Sequence, residues 1–315
     1  MESQAQCSVC SSRSYSTIVA AEKMFGMGGH FQYRECRDCG HVELTEVPQD
    51  ITRYYPANYY SFRQPSAIKT FLKTKRSAYS HGQRTLIGAL MERKIGPDPT
   101  AEWFRHAGVR KTDRILDVGC GSGIFLRDLR EAGYTSIMGI DPYIERDYQY
   151  GPIHIKKMSA YDLKQKFDFI MLNHSFEHML EPVKMMQQLA RLVDKGGTLL
   201  IRVPVIGEAW KTYRENWVGL DAPRHFFIPS VSSFSIMAEQ AGLRIHDVVF
   251  DSTDFQFWAS EQYKRNIPLE SSQSYDRNPG GSIFNADQIQ DYKKRADQLN
   301  REQKGDQASF YLKIN

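Results

Sequence analysis

The sequence predicts an α/β protein, a sheet of seven largely parallel strands behind a small metal-dependent module, and three observations carry that prediction. From Arg114 onward short apolar runs alternate with amphipathic segments, the order expected of a sheet with helices on both faces. In that region an apolar strand, residues 114–118, runs into Gly119, Gly121 and Gly123, a D-x-G-x-G-x-G turn followed by an amphipathic helix. Upstream, four of the five cysteines form two Cys-x-x-Cys pairs.

Composition bounds the rest. At 315 residues, 41% hydrophobic and 25% charged, the chain is ordinary for a globular protein and long enough for one large domain and a small one. Residues 1–6 lack a basic and then apolar signal segment, and no apolar run approaches the roughly twenty residues that span a bilayer. A cytoplasmic location without a transmembrane segment is the expectation. Paired cysteines in such a compartment suit metal binding better than a disulfide framework. The formal net charge of +4 is unevenly spread: Arg63, Lys69, Lys73, Lys75, Arg76, Arg84, Arg93 and Lys94 crowd one segment whose single acid is Glu92. That run is either a solvated helix face or a surface for the phosphates of a nucleotide-linked substrate, an anionic membrane or RNA.

Taken in chain order, Cys7 and Cys10, then Cys36 and Cys39, are two knuckles around a β-rich segment and together look like a zinc ribbon over residues 1–47. Two residues between thiolates let both sulfurs reach one ion, and Gly40 permits the tight turn behind the second knuckle. The spacing predicts a hairpin loop at residues 26–29 and a structural Zn2+, since four thiolates leave no open position for water. A connector over 48–112 opens with the aromatic run 54–62 and continues as helix over 67–95, a break at residues 96–99, and a short helix over 100–108. In the main domain, 113–315, strands are expected at 114–118, 137–140, 153–156, 168–172, 198–203, 243–251 and 308–314. Pro182 starts one helix, Ser230 caps another that ends at Gly242, and a polar insert of about 256–305 is helical near 285–304.

The turn suits a nucleotide. Asp117 ends its strand, the glycines let a ligand lie against bare main chain, and about twenty residues on a second apolar strand ends in Asp141, whose carboxylate can accept from both hydroxyls of a ribose. Cys120 within the turn reads as a small filler, with nothing beside it in sequence to activate it. This pair of signals resembles motifs I and II of the class I S-adenosylmethionine-dependent methyltransferases, over roughly residues 110–260. The resemblance implies a Rossmann-like seven-stranded methyltransferase sheet with an antiparallel last strand and a connector that helps cover the cofactor. It implies cofactor contacts at Asp117, Gly119, Gly121, Asp141, Asn173 and His174, with Tyr161 near the adenine.

Methyl transfer from a sulfonium needs alignment above all, and an alcohol acceptor also benefits from a general base near neutrality. Residues 171–182 resemble the Glu-His segment of a methyltransferase group that includes ubiquinone-biosynthesis O-methyltransferases and zinc-ribbon-bearing sugar methyltransferases. In the sugar enzymes a His at this place can act as base, which carries over to His178, with Glu177 beside it. In the quinone enzymes an acid three residues before the Glu joins Glu-His in binding a divalent metal; here that position is His174, which argues against a catalytic metal. His178 otherwise reads as a helix-start histidine held by backbone. His225, in an Arg-His-aromatic block shared with the same group, either positions the acceptor, acts as base or anchors its loop. Trp210, Tyr213 and Trp217 offer flat faces for a sugar or base, or pack their loop. The expected acceptor is a small molecule, an oxygen or carbon of a sugar or nucleotide-linked sugar, with nucleic acid the less expected partner; the alternative is an RNA methyltransferase that clamps the backbone with ribbon and basic helix. The sequence leaves the oligomeric state open.

Overall fold

The computed structural model describes residues 6–56 and 67–315. Residues 57–66, which hold most of the aromatic run and Arg63, lie outside the described residues. The chain divides into two compact units, one of residues 1–55, 174–186 and 202–310, the other of residues 56–173, 187–201 and 311–315.

The first unit begins with a β-sheet. β1 (Tyr15–Ala21) pairs antiparallel with β2 (His30–Cys36), which pairs with β3 (Val42–Leu44), and the sheet's fourth strand, β10 (Phe227–Ile228), comes from far along the chain. Residues 22–29 form the hairpin connection between β1 and β2, where a glycine-rich loop is expected. Further elements of this unit are α6 (Glu208–Tyr213), α7 (Val231–Gln240), α8 (Phe255–Lys264) and α9 (Ala286–Arg301). Ser230 caps α7 by accepting from the Ser233 N–H, and Asn285 caps α9 in the same way from Gln288.

The second unit holds the connector helices and the centre of the larger sheet. The helix expected as one piece over 67–95 is two: α1 (Ala67–Ser80) ends, the chain turns at Gly82, and Thr85 caps α2 (Leu86–Ile95). Residues 80–85, Ser-His-Gly-Gln-Arg-Thr, hold no apolar residue and include a glycine and a capping threonine, so the break is readable in the sequence. Asp98 caps α3 (Pro99–His106). Strand β4 (Arg114–Val118) pairs parallel with β5 (Ser136–Ile140) on one side and with β8 (Phe167–Asn173) on the other, while β7 (Ile153–Lys156) pairs parallel with β5. Helix α4 (Ile124–Glu131) lays Leu126 and Leu129 into a core with Ile115, Ile137, Ile153, Ile155 and Phe169, all buried. These are the apolar positions at which the strands and the helix period intersect.

The larger sheet has eight strands, not seven, in the order β11-β12-β9-β8-β4-β5-β7-β6, with β9 (Val193–Pro204), β11 (Leu243–Phe250) and β12 (Gln307–Ile314). The additional strand is β6 (Tyr148–Tyr150), an edge strand antiparallel to β7. Three residues of Tyr-Gln-Tyr carry no readable alternation, which is why the sequence does not announce it.

Candidate functional site

The cradle is made almost entirely of main chain. At the end of β4 the chain turns back with the Gly119 and Cys120 N–H groups donating to the Ile140 carbonyl at 2.8 and 3.2 Å, which ties the turn to β5. Gly121 has φ +54° and donates its N–H to Asp141 Oδ2 at 3.0 Å, while Asp141 Oδ1 accepts from the Tyr143 N–H at 2.8 Å. A Cβ at Gly121 would meet nothing within 4 Å, so bare peptide faces open space there; at Gly123 it would lie 1.8 Å from Ile155 Cδ1.

Asp117 is buried beneath this turn. Burial and the nearby Asp141 charge raise its carboxyl to about 7. A cation placed nearby reverses that penalty, so the site favours a positively charged ligand. Burial, with the charges of Asp117 and Asp141, pushes the Cys120 thiol up, which leaves it a poor nucleophile. Asn173 stands exposed at the end of β8, and Tyr161 lies half exposed in a one-turn 3-10 helix, Ala160–Asp162, capped by Ser159.

The second group of residues, in the other unit, is made of side chains. Glu177 is fully buried in the 3-10 turn Phe176–His178. Burial opposes its charge, yet a hydrogen bond from His174 and the fields of His174, His225 and His178 prevail and hold its carboxyl at about 2. His174 Nδ1 lies 3.2 Å from Glu177 Oε1, and its Nε2 accepts from Arg202 Nη1 at 2.6 Å; Arg202 Nε in turn donates to Asp251. His174 thus bridges Arg202 and Glu177.

Two imidazoles complete the group. His178 Nδ1 is 2.8 Å from the Arg224 carbonyl and His225 Nδ1 is 2.8 Å from the Gly219 carbonyl. A carbonyl only accepts, so each Nδ1 carries the proton and each Nε2 presents a lone pair. The two rings lie 4.9 Å apart, and His225 Nε2 is 3.8 Å from Glu177 Oε1. Burial and the neighbouring His178 lower His225 to about 4, so it is neutral at physiological pH. Glu177 Oε2 is buried without a hydrogen-bond partner, an acceptor suited to a donor hydroxyl or a cation. One ligand atom from each of Glu177, His178 and His225 falls within a 4.8 Å set, compact enough to hold a metal ion.

The frame of this group involves residues that sequence reasoning passed over. Arg224 is fully buried: its Nη2 donates to Asp221 Oδ1 at 2.6 Å and to Glu22 Oε1 at 3.0 Å, its Nη1 to the Tyr54 carbonyl at 3.0 Å. Glu22 also accepts from the Phe25 and Met27 N–H groups, which orders the β1–β2 connection. Nothing local marks Glu22 as a partner of a residue 202 positions away. Trp210, Tyr213 and Trp217 are buried, with the indole N–H groups bonded to Glu35 and Asp306, so they pack their loop and present no open stacking face.

Cys7, Cys10, Cys36 and Cys39 converge, with Sγ separations of 3.7 Å for Cys7–Cys39 and 3.5 Å for Cys10–Cys36. Tetrahedral zinc bound by four thiolates spaces them at about 3.8 Å. Burial pushes Cys7 up to about 11, so a thiolate there needs a cation beside it; the donor set fits structural zinc.

Comparison with known proteins adds the family. The methyltransferase domain model matches residues 81–248. Two curated relatives are both named tRNA U34 carboxymethyltransferase: one from Idiomarina loihiensis, 29% identical over 167 residues (44% of this chain, 48% of that protein), and one from Alteromonas mediterranea, 26% identical over 189 residues (49% and 54%). The chain thus spans about half the length of the curated relatives it matches. Among solved structures, a putative sarcosine dimethylglycine methyltransferase from Galdieria sulphuraria aligns with a TM-score of 0.45 at 15% identity, covering 76% of this chain and 97% of that one. The chain belongs to the methyltransferase domain family and is an S-adenosylmethionine-dependent methyltransferase.

Proposed function

We propose that this enzyme methylates RNA, most simply a nucleotide of a transfer RNA, with the cradle holding S-adenosylmethionine and the Glu177, His178 and His225 group activating the acceptor. The observation that carries the reading is the pair of relatives, both named for action on tRNA, whose similarity spans 167 and 189 residues. The basic helices α1 and α2, with Lys69, Lys73, Arg84, Arg93 and Lys94 exposed, supply the charge that a phosphate backbone requires. The carbohydrate acceptor expected from the sequence has no counterpart among these relatives.

Asp117, Gly119, Gly121, Asp141 and Asn173 are the residues assigned to the cofactor, with Tyr161 toward its adenine. The ionised form of Asp117 suits the cation, and the Gly121 main chain offers a flat face for the adenosyl group. When bound, S-adenosylmethionine would supply the methyl group, its carbon–sulfur electron pair staying on sulfur. This chain's own contribution at the acceptor would be the lone pair of His178 Nε2, which would take the proton of a hydroxyl. Glu177 remains a carboxylate at every working pH and stabilises the imidazolium that results. The cysteine cluster is assigned a structural zinc that folds the N-terminal segment.

The test is transfer of labelled methyl from S-adenosylmethionine to a bulk tRNA fraction and, in parallel, to a panel of nucleotide sugars. Label in tRNA with none in the sugars is the expected result. Label in sugars alone overturns the reading.

A further inference from the structure

The edge strand β6 and the helix after the cradle build a row of side chains that the cofactor and acceptor assignments leave unused. Tyr148 and Tyr150 stand opposite the buried Ile155 and Ile153 of β7, so both point to one face of the sheet, where they lie half buried with one side against the core of Leu126, Leu129, Ile153 and Ile155. Their rings are parallel to within 4°, with centroids 6.4 Å apart. Arg146 lies over the Tyr148 ring at 5.9 Å, and Arg127 of α4 lies over the Tyr150 ring at 5.1 Å. Each ring thus has a guanidinium within 5.9 Å of its centroid. Arg130 adds a third guanidinium, bonded through Nη1 to the Tyr150 carbonyl at 3.3 Å, and all three arginines are exposed. Asp147, the acid within this stretch, is already paired with Lys156 at 2.8 Å.

The row starts beside the cradle. Tyr148 pairs with Ile155, and the next residue of β7, Lys156, accepts the Asp141 N–H at 3.0 Å. We propose that this row binds nucleotides of the RNA acceptor, one base entering between Tyr148 and Tyr150 while Arg127, Arg130 and Arg146 take the flanking phosphates; this rests on the RNA reading above. A planar base between two parallel rings needs about 7 Å, twice a carbon–carbon contact distance, so the rings must move apart to admit it. The guanidinium groups beside the rings supply the counter-charge, and rings with cations are the combination by which single strands are gripped without sequence preference. A free mononucleotide gains little on an open strip, because small ligands need an enclosing pocket. A polymer collects several such contacts in series.

The experiment is fluorescence anisotropy of the full chain with a labelled hairpin RNA carrying a single-stranded loop, across a salt series. Tyr148→Ala with Tyr150→Ala weakens binding roughly tenfold or more. Tyr148→Phe with Tyr150→Phe binds as the wild type does, because the ring stacks and the hydroxyl does not. Arg127→Ala with Arg146→Ala flattens the salt dependence by one to two phosphate contacts. Unchanged affinity for S-adenosylhomocysteine in each variant establishes that the fold is intact. If the double alanine variant binds and methylates RNA as the wild type does, the row is not the site and the RNA reading survives. If the wild type binds a nucleotide sugar and no RNA, the RNA reading falls and the row falls with it.

Discussion

The cradle and the histidine group solve opposite problems with opposite materials. Around Gly119, Gly121 and Gly123 what matters is the absence of side chains, since bare peptide faces open space at Gly121, Ile155 fills the place of a Cβ at Gly123, and one acid, Asp141, ties the turn in place. Around Glu177 what matters is side chains, each oriented by a partner distant in sequence: His178 by the Arg224 carbonyl, His225 by that of Gly219, Arg224 by Glu22. The difference teaches where each is vulnerable. Adding atoms breaks the first and removing them breaks the second.

That contrast can be broken at four points. The largest effect is expected from Arg224→Met, which leaves the buried Glu22 and the partly exposed Asp221 without their cation and costs about 3 kcal/mol of stability or more, read by urea unfolding. A loss under about 1 kcal/mol would mean that the frame is not held by charge. Next, His178→Asn lowers turnover by roughly a hundredfold or more with affinity for S-adenosylhomocysteine kept. Equal turnover would move the base to His225, whose value of about 4 predicts activity that persists on acidification to about pH 5. In the cradle, Gly121→Val weakens cofactor binding at least roughly tenfold in calorimetry, although its Cβ meets no protein atom within 4 Å and its φ of +54° costs only about 1–2 kcal/mol.

The smallest effect has a sign worth working out. Asp117 moves from 3.8 in the unfolded chain to about 7 in the fold, so between these values the native state holds a proton that the unfolded chain has lost. Stability without cofactor therefore declines from pH 4 to pH 7, and the penalty is complete above 7. Asp117→Asn removes the charge at the cost of a buried amide, so the melting temperature without cofactor should rise by a few degrees at pH 8, about 1 kcal/mol, and hardly change at pH 4. A fall at pH 8 would show that Asp117 is paired in the free enzyme.

The two regions also differed in how far the sequence exposed them. The cradle is local, contained in a strand, a turn and the acid twenty positions on, and residues 114–118, 137–140 and 153–156 read as strands because their apolar runs are continuous. The histidine group could be listed, as Glu177, His178 and His225, but not assembled. Its orienting partners are backbone carbonyls and acids such as Glu22, which leave no pattern at short range. Strand β6 was hidden by its three-residue length, whereas the break between α1 and α2 is marked by the polar run of residues 80–85 around Gly82. Chemistry carried by local spacing is readable; chemistry carried by tertiary closure is not.

The β10 strand that completes the N-terminal sheet has a consequence for biosynthesis. Phe227 and Ile228 pair with Glu43 and Val42, so β3 lacks its last neighbour during synthesis until nearly two hundred further residues have been made. During that interval the outer side of β3 is an unpaired edge and Glu22 awaits its guanidinium. If the four thiols hold zinc as proposed above, its early capture would keep the nascent hairpin in register over this wait, and on that proposal metal starvation shows first as aggregation of newly made chain and only later as loss of activity in enzyme already folded.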